Sequence, residues 1–271
     1  MPKREPPGGR LLAEKIAPPA TECRLTRGRL LADLSESLAC CSATVISGRA
    51  GTGKTTLAAD FASGAGRAAA WYKVEAPDAD LPVFFKYLCA AVARRRPGFG
   101  AQALWMLGET LMTGDVPLLV ECFVSELLCL DEPLLVVVDD LHFVYDEEWT
   151  VPFFGRLLPL LPREMHLILA GRGLPPAPLW RMRSKQTLRV VEEPALAFTL
   201  REAQELFTLY GAPAAQAAAA WKETRGRAAA LAVRAASLAA EAVGVDAPEH
   251  VRKTFRPSRP VLVKGFATEN A

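Results

Sequence analysis

The chain has 271 residues, of which 51% are hydrophobic and 23% charged, and its formal net charge is +2. That balance describes a globular protein of one large domain, or one large and one small, with no electrostatic pull toward nucleic acid or an anionic membrane. No apolar run reaches the ~20 residues of a bilayer span, and Met1–Gly9 has no signal-peptide core. Six cysteines without C-x-x-C spacing read as reduced core thiols of a cytoplasmic protein, not as a disulfide frame or a metal cluster.

Residues 1–20 are proline-rich and are expected to be disordered. After Arg27-Gly28-Arg29, Leu30, Leu31, Leu34 and Leu38 recur at helical spacing. Ala43-Thr44-Val45-Ile46-Ser47 then reads as a strand, and Thr56–Ala62 as a helix. Between them lies Gly48-Arg49-Ala50-Gly51-Thr52-Gly53-Lys54-Thr55, with Thr56 following. This is G-x-x-x-x-G-K-[ST] in its required strand–loop–helix setting, the Walker A phosphate loop. The glycines allow a tight turn whose N–H groups point at phosphate oxygens. The helix that starts near Lys54 adds its N-terminal dipole. Gly48 to Thr56 are therefore candidate nucleotide-binding residues. Lys54 is expected to reach the β- and γ-phosphates, and the Thr55 hydroxyl to ligate Mg²⁺.

Ala68–Val74 reads as a second strand and Leu81–Arg96 as a helix. Its Arg94-Arg95-Arg96 end is read as solvated and favoured by the helix dipole. Ala101–Leu111 and Val116–Leu130 are further helical stretches. The apolar run Leu134-Leu135-Val136-Val137-Val138 after Pro133 suits a strand buried on both faces of a parallel sheet. It ends in Asp139-Asp140, a Walker B pattern. Asp139 is expected to bind Mg²⁺ opposite Thr55, and Asp140 to orient or deprotonate the attacking water. His142 reads as a packed histidine beside this strand. Val151–Leu161 is a helix, Met165–Ala170 a buried strand leading to Gly171-Arg172, and Leu188–Val191 a last strand.

After Pro194 the strands stop. Alanine-rich helices begin at Thr199-Leu200-Arg201-Glu202 and continue over Pro213–Thr224 and Arg227–Val243. The expected fold is an α/β P-loop NTPase, a three-layer α/β/α parallel sheet with a C-terminal all-helical lid. Its expected divisions are a disordered segment 1–20, a nucleotide-binding domain 21–193, a helical lid 194–243 and a loosely ordered tail 244–271.

One family shares the order of these motifs. Leu25-Thr26-Arg27-Gly28-Arg29-Leu30-Leu31, the phosphate loop, Trp71, Asp139-Asp140-Leu141-His142, Leu167–Arg172, Leu174-Pro175-Pro176-Ala177-Pro178-Leu179 and Thr224-Arg225-Gly226 follow one another. Together they resemble the nucleotide-binding portion of the large ATP-binding LuxR-type, maltose-activator-like transcription regulators, STAND-class P-loop ATPases. The resemblance implies that the strand ending at Ala170 lies between the phosphate-loop strand and the Asp139 strand. It implies that Arg172 meets the γ-phosphate as a sensor, and that Arg27 and Arg29 border the adenine. It further implies ATP/ADP and Mg²⁺ as ligands, slow hydrolysis used as a switch, and self-association or association with a full-length regulator. Direct DNA binding is not expected, because the chain carries neither sensor repeats nor a helix-turn-helix, and membrane association is not expected, because no apolar run is long enough to span a bilayer. Near the glycine that Gly226 matches, relatives often have Gly-Trp or a nearby proline; Arg227-Ala228 stands here, which leaves the lid's contact with the base open. Two other readings compete. A P-loop kinase or transport ATPase needs an arginine-rich lid, whereas the region after Pro194 is mainly alanine. A non-catalytic interaction protein would keep the loop and bind nucleotide without an output.

Overall fold

Five strands form the sheet: β1 (Ala43–Ser47), β2 (Ala68–Lys73), β3 (Leu134–Asp139), β4 (Met165–Gly171) and β5 (Leu188–Val191). Their order is β2-β3-β4-β1-β5, and every neighbouring pair is parallel. β4 thus lies between the phosphate-loop strand and the carboxylate strand, as the resemblance implies. The computed structural model describes residues 12–20, 25–130, 132–185 and 187–243. The expected tail from 244 onward, most of the 1–20 segment and Cys23 lie outside them.

Side chains alternate across a strand, and here both faces are apolar. Leu134, Val136, Val138, Leu167 and Leu169 join a core on one face; Leu135, Val137, Ile168 and Ala170 join a core on the other. The first face is covered by α3 (Leu81–Ala93), α4 (Ala101–Thr113), α5 (Val116–Leu128) and α6 (Thr150–Leu160). The second is covered by α1 (Gly28–Cys40) and α2 (Lys54–Gly64). This is the expected three-layer arrangement.

Two short turns of helix, α7 (Ala177–Trp180) and α8 (Glu193–Leu196), flank β5. α9 (Leu200–Leu209), α10 (Ala217–Thr224) and α11 (Ala228–Val243) follow, with their own core of Phe198, Leu206, Phe207 and Leu231. α9 begins with a reciprocal cap. Thr199 Oγ1 accepts from the Glu202 N–H at 3.2 Å, and the Glu202 carboxylate accepts from the Thr199 N–H at 2.8 Å. Gly226 joins α10 to α11 at φ +72°, and a Cβ there would stand 2.5 Å from the Phe198 carbonyl oxygen. Only glycine meets both demands.

Three details differ from the sequence reading. Residues 13–16 were expected to be disordered but form a 3₁₀ turn (Ala13–Ile16) against β2. Lys15 is buried there, with Nζ donating to both Asp78 carboxylate oxygens at 2.6 and 2.8 Å and lying 4.5 Å from the Tyr87 ring centroid. An internal carboxylate thus fastens a segment whose composition reads as irregular. The Arg94–Arg96 run is tied down rather than merely solvated: Arg95 donates to the Ala69 carbonyl and Arg96 to Glu132. The cysteines divide: Cys89 and Cys122 are buried, Cys41 is half-buried, and Cys40 and Cys129 are exposed.

A polar relay crosses the buried start of the sheet. His166 Nδ1 lies 3.0 Å from the Cys41 carbonyl oxygen and must donate to it, so Nε2 accepts from Thr44 Oγ1 at 2.9 Å. Thr44 Oγ1 in turn accepts from Ser37 Oγ at 2.6 Å. Burial pushes the His166 pKa down from 6.5 to about 4. The unfolded chain therefore binds more protons between these values, and stability falls as pH drops from 6.5 toward 4. The loss expected from this group is ~3 kcal/mol. Urea unfolding of the parent and of His166→Gln at pH 7 and pH 4.5 measures it. The variant should lose less on acidification; equal losses would exclude His166 as a source of acid sensitivity.

Candidate functional site

The loop after β1 turns through Gly51 (φ +78°) and Gly53 (φ +86°) into α2. A Cβ on Gly51 would lie 2.9 Å from the Ala229 Cβ, so this position is closed by sterics as well as by conformation. Lys54 is 6% exposed, and its Nζ donates to the Gly48 and Arg49 carbonyl oxygens at 2.6 and 3.0 Å. Burial lowers its pKa, while Asp140 and Asp139 draw it back up.

At the end of β3, Asp139 is 1% exposed and accepts from the Asp140 N–H at 3.0 Å and from the Thr55 side chain. Burial, followed by the Asp140 charge, pushes the Asp139 pKa up to about 6. Asp140 has φ +56°, an uncommon conformation for a residue other than glycine and one that clusters at functional sites. His142 is packed here, as expected. Its ring centroid lies 4.4 Å from that of Phe143, and Nδ1 lies 3.7 Å from an Asp140 carboxylate oxygen. Arg172 follows β4 and is exposed, and its charge acts on both Lys54 and His142. The β4–β1 pairing of Gly171 with Ser47 brings this arginine to the loop. Three adjacent strand ends thus gather Lys54, Thr55, Asp139, Asp140 and Arg172.

Beside the loop is a cavity of about 340 Å³ lined by Leu25, Arg27, Gly53, Thr56, Phe198 and Tyr210, among others. Arg27 is 6% exposed. Its Nη2 donates to the Leu196 carbonyl at 2.8 Å, and its guanidinium carbon lies 4.3 Å from the Phe198 ring centroid. Its Nε and Nη1 are buried without a hydrogen-bond partner. Arg29, expected at the adenine, does not line this cavity. It donates to the Ala195 and Ala197 carbonyls at 2.7 and 2.6 Å and pairs with Glu202 at 3.1 Å. The two arginines are two positions apart near the start of α1, so one side chain turns to the cavity and the other to α9.

Three loop contacts have no local sequence signal. The Glu193 carboxylate accepts from the Arg49 backbone N–H and from Arg49 Nε, each at 2.7 Å. Arg227 Nη2 donates to the Ala50 carbonyl at 2.6 Å, and the Ala229 N–H to the Gly51 carbonyl at 2.9 Å. Arg227 and Ala229 therefore bring the start of α11 onto the loop, and Ala228 and Ala229 line the cavity.

Comparison with known proteins fits this geometry. No family model matches the chain. The HTH-type transcriptional regulators MalT of Serratia proteamaculans and Cronobacter sakazakii are each 30% identical to it over 200 residues, which is 73% of this chain. Over that span the chain is homologous to these regulators. It covers 22% of the length of these MalT relatives. Among solved structures, the Walker-type ATPase PABY2304 of Pyrococcus abyssi superposes with a TM-score of 0.52 at 12% identity, over 84% of this chain and 71% of its own. The Aeropyrum pernix ORC1 protein, solved in complex with DNA, gives 0.50 at 21% identity, over 87% and 65%. At these identities the likeness establishes the P-loop ATPase fold of the MalT-related chain, and the fold alone. Among the described residues, no helix is long and apolar enough to cross a membrane.

Proposed function

We propose that the chain binds ATP with Mg²⁺ at the ends of β1, β3 and β4, hydrolyses it slowly, and serves as the conformational switch of a MalT-like regulator in the cytoplasm. The observation that carries this reading is the meeting of Lys54, Thr55, Asp139, Asp140 and Arg172 at three adjacent strand ends.

The residues fit these ligands in three respects. Lys54 donates to loop carbonyls, the acceptors nearest to hand in place of phosphate oxygens. Asp139 holds its proton up to about pH 6 beside Thr55, an arrangement a divalent cation reverses. Arg27 has two nitrogens without a hydrogen-bond partner beside a cavity with largely apolar walls. When bound, ATP supplies the phosphoanhydride, and Mg²⁺ neutralises charge on its oxygens.

The chain's own groups then divide the work. Lys54 and the N–H groups from Gly51 to Thr56 hold the phosphates. Thr55 and Asp139 hold the metal. Asp140 orients water and takes its proton. Arg27 holds the nucleoside end. Residues 194–243 act as a lid, joined to the loop by Arg227 and Ala229 and to α1 by Arg29 and Glu202. The output is self-association or control of a full-length regulator, without DNA binding by this segment.

Asp140→Asn should spare ATP binding and slow single-turnover hydrolysis by ~10²-fold. Asp139→Asn should instead weaken the Mg²⁺ dependence of binding. Hydrolysis at the parent rate in Asp140→Asn would remove that residue from the chemistry.

Arg172→Ala should erase the difference between ATP and ADP without preventing either from binding. A charge-assisted contact of ~1.5–3 kcal/mol, made to the γ-phosphate alone, shifts a balanced pair of states about tenfold or more. In the parent, protease cleavage at 190–200 should therefore proceed at different rates with a non-hydrolysable ATP analogue and with ADP. In Arg172→Ala the rates should converge; a preserved difference would place the sensor elsewhere.

A further inference from the structure

Cys40 is the last residue of α1, and Cys41 leaves it in an extended conformation with φ −126° and ψ 157°. Across this break the two Sγ atoms lie 3.5 Å apart. Cys40 is exposed, and Cys41 partly so. The pair is poorly built for a structural disulfide. Consecutive Cα atoms are ~3.8 Å apart, short of the ~4.4–6.8 Å that disulfides span. What remains is two thiols in contact, open to solvent and resistant to closing on each other. Such a pair is a bidentate soft-donor set.

Its surroundings hold the pair in place. The Arg189 guanidinium on β5 acts electrostatically on Cys41 and is itself paired with Asp33 and, at 3.0 Å, with Glu36. Burial raises the Cys41 pKa, and the contact with Cys40 raises it further, so this sulfur is held as a neutral thiol until a ligand displaces its proton. The Cys41 backbone is held on both sides: its N–H donates to the Ser37 carbonyl at 2.8 Å, and its carbonyl accepts from His166 at 3.0 Å. The pair lies at the start of β1, and the phosphate loop lies at its end. Six residues separate Cys41 from Gly48, ~23 Å of extended chain.

We propose that Cys40 and Cys41 form a chelating site for trivalent arsenic. With an arsenoxide, R–As=O, both S–H bonds and the As=O bond break, and two As–S bonds form. The oxygen leaves as water with the two thiol protons. Arsenic stays trivalent, so no oxidant or reductant is needed. The second As–S bond closes within one molecule, which strengthens retention over a single thiol by roughly 10²–10⁴-fold.

Phenylarsine oxide and the full chain test this. Intact mass should show one arsenical added with loss of one water. The adduct should survive excess monothiol and be stripped by a dithiol. Cys40→Ser and Cys41→Ser should each weaken retention by roughly 100-fold, whereas Cys23→Ser and Cys129→Ser should leave it unchanged. An adduct that excess monothiol removes, or one that persists in both Cys40→Ser and Cys41→Ser, would overturn the proposal. A second measurement uses the unaltered chain and does not depend on how the variants fold. The arsenical should shield Cys40 and Cys41 from iodoacetamide in peptide maps, and leave Cys129 reactive; unshielded Cys40 and Cys41 would also overturn it.

Discussion

Lys54→Ala is expected to abolish nucleotide binding. Lys54 is the buried cation inside the loop, with Asp139 and Asp140 close enough to shift its pKa. Its ammonium donates to the Gly48 and Arg49 carbonyls, which it can exchange for phosphate oxygens at little cost in hydrogen bonds. Alanine removes the one cation fixed inside the loop at the β- and γ-phosphates. A charge-assisted contact is worth up to ~3 kcal/mol, so Kd should rise by roughly 100-fold or more. Titration of both proteins with a fluorescent ATP analogue in Mg²⁺ measures this, and a melting curve without nucleotide separates lost binding from lost fold. Equal affinities would refute the site.

The largest expected effect on stability lies far from that site in sequence. Lys15→Ala should cost about 3–5 kcal/mol, because it leaves the Asp78 carboxylate buried without its cation. Asp78 is 0% exposed and Lys15 6%, and Glu75 adds a second carboxylate 3.3 Å from Nζ. Burial alone would pull the Lys15 pKa down, but Asp78 and Glu75 outweigh it and raise it. Urea unfolding at pH 7 reports the loss. Lys15→Met with Asp78→Asn should recover part of it, since that pair buries no charge. A single variant within ~0.5 kcal/mol of the parent, the range of ordinary surface changes, would mean that the 13–16 turn does not secure the sheet.

Some features of this protein are determined by residues close together in sequence. The phosphate loop, the doubly apolar β3 and β4, and the Thr199–Glu202 cap each announce themselves because their partners sit within one turn or one strand. Spacing then records the interaction, whether as alternation on both faces of a strand or as a donor three residues from its acceptor. That was enough for the three-layer fold, and enough to nominate Lys54, Thr55, Asp139 and Asp140.

Only the tertiary structure decided the rest. Lys15 meets Asp78 across 63 positions, Arg49 meets Glu193 across 144, and Arg227 meets Ala50 across 177. No periodicity marks such pairs, because chain folding sets their separation and local geometry does not. The same cause divides Arg27 from Arg29. Both read as arginines in one short motif and both reach Glu202, at 3.7 and 3.1 Å, yet only Arg27 lines the cavity. A side chain's direction on α1 selects a partner only after α9 has packed against it. Cys40 and Cys41 show the limit from the other side. Their adjacency is plain in the sequence, but whether their sulfurs meet depends on the backbone leaving α1 for an extended path at Cys41.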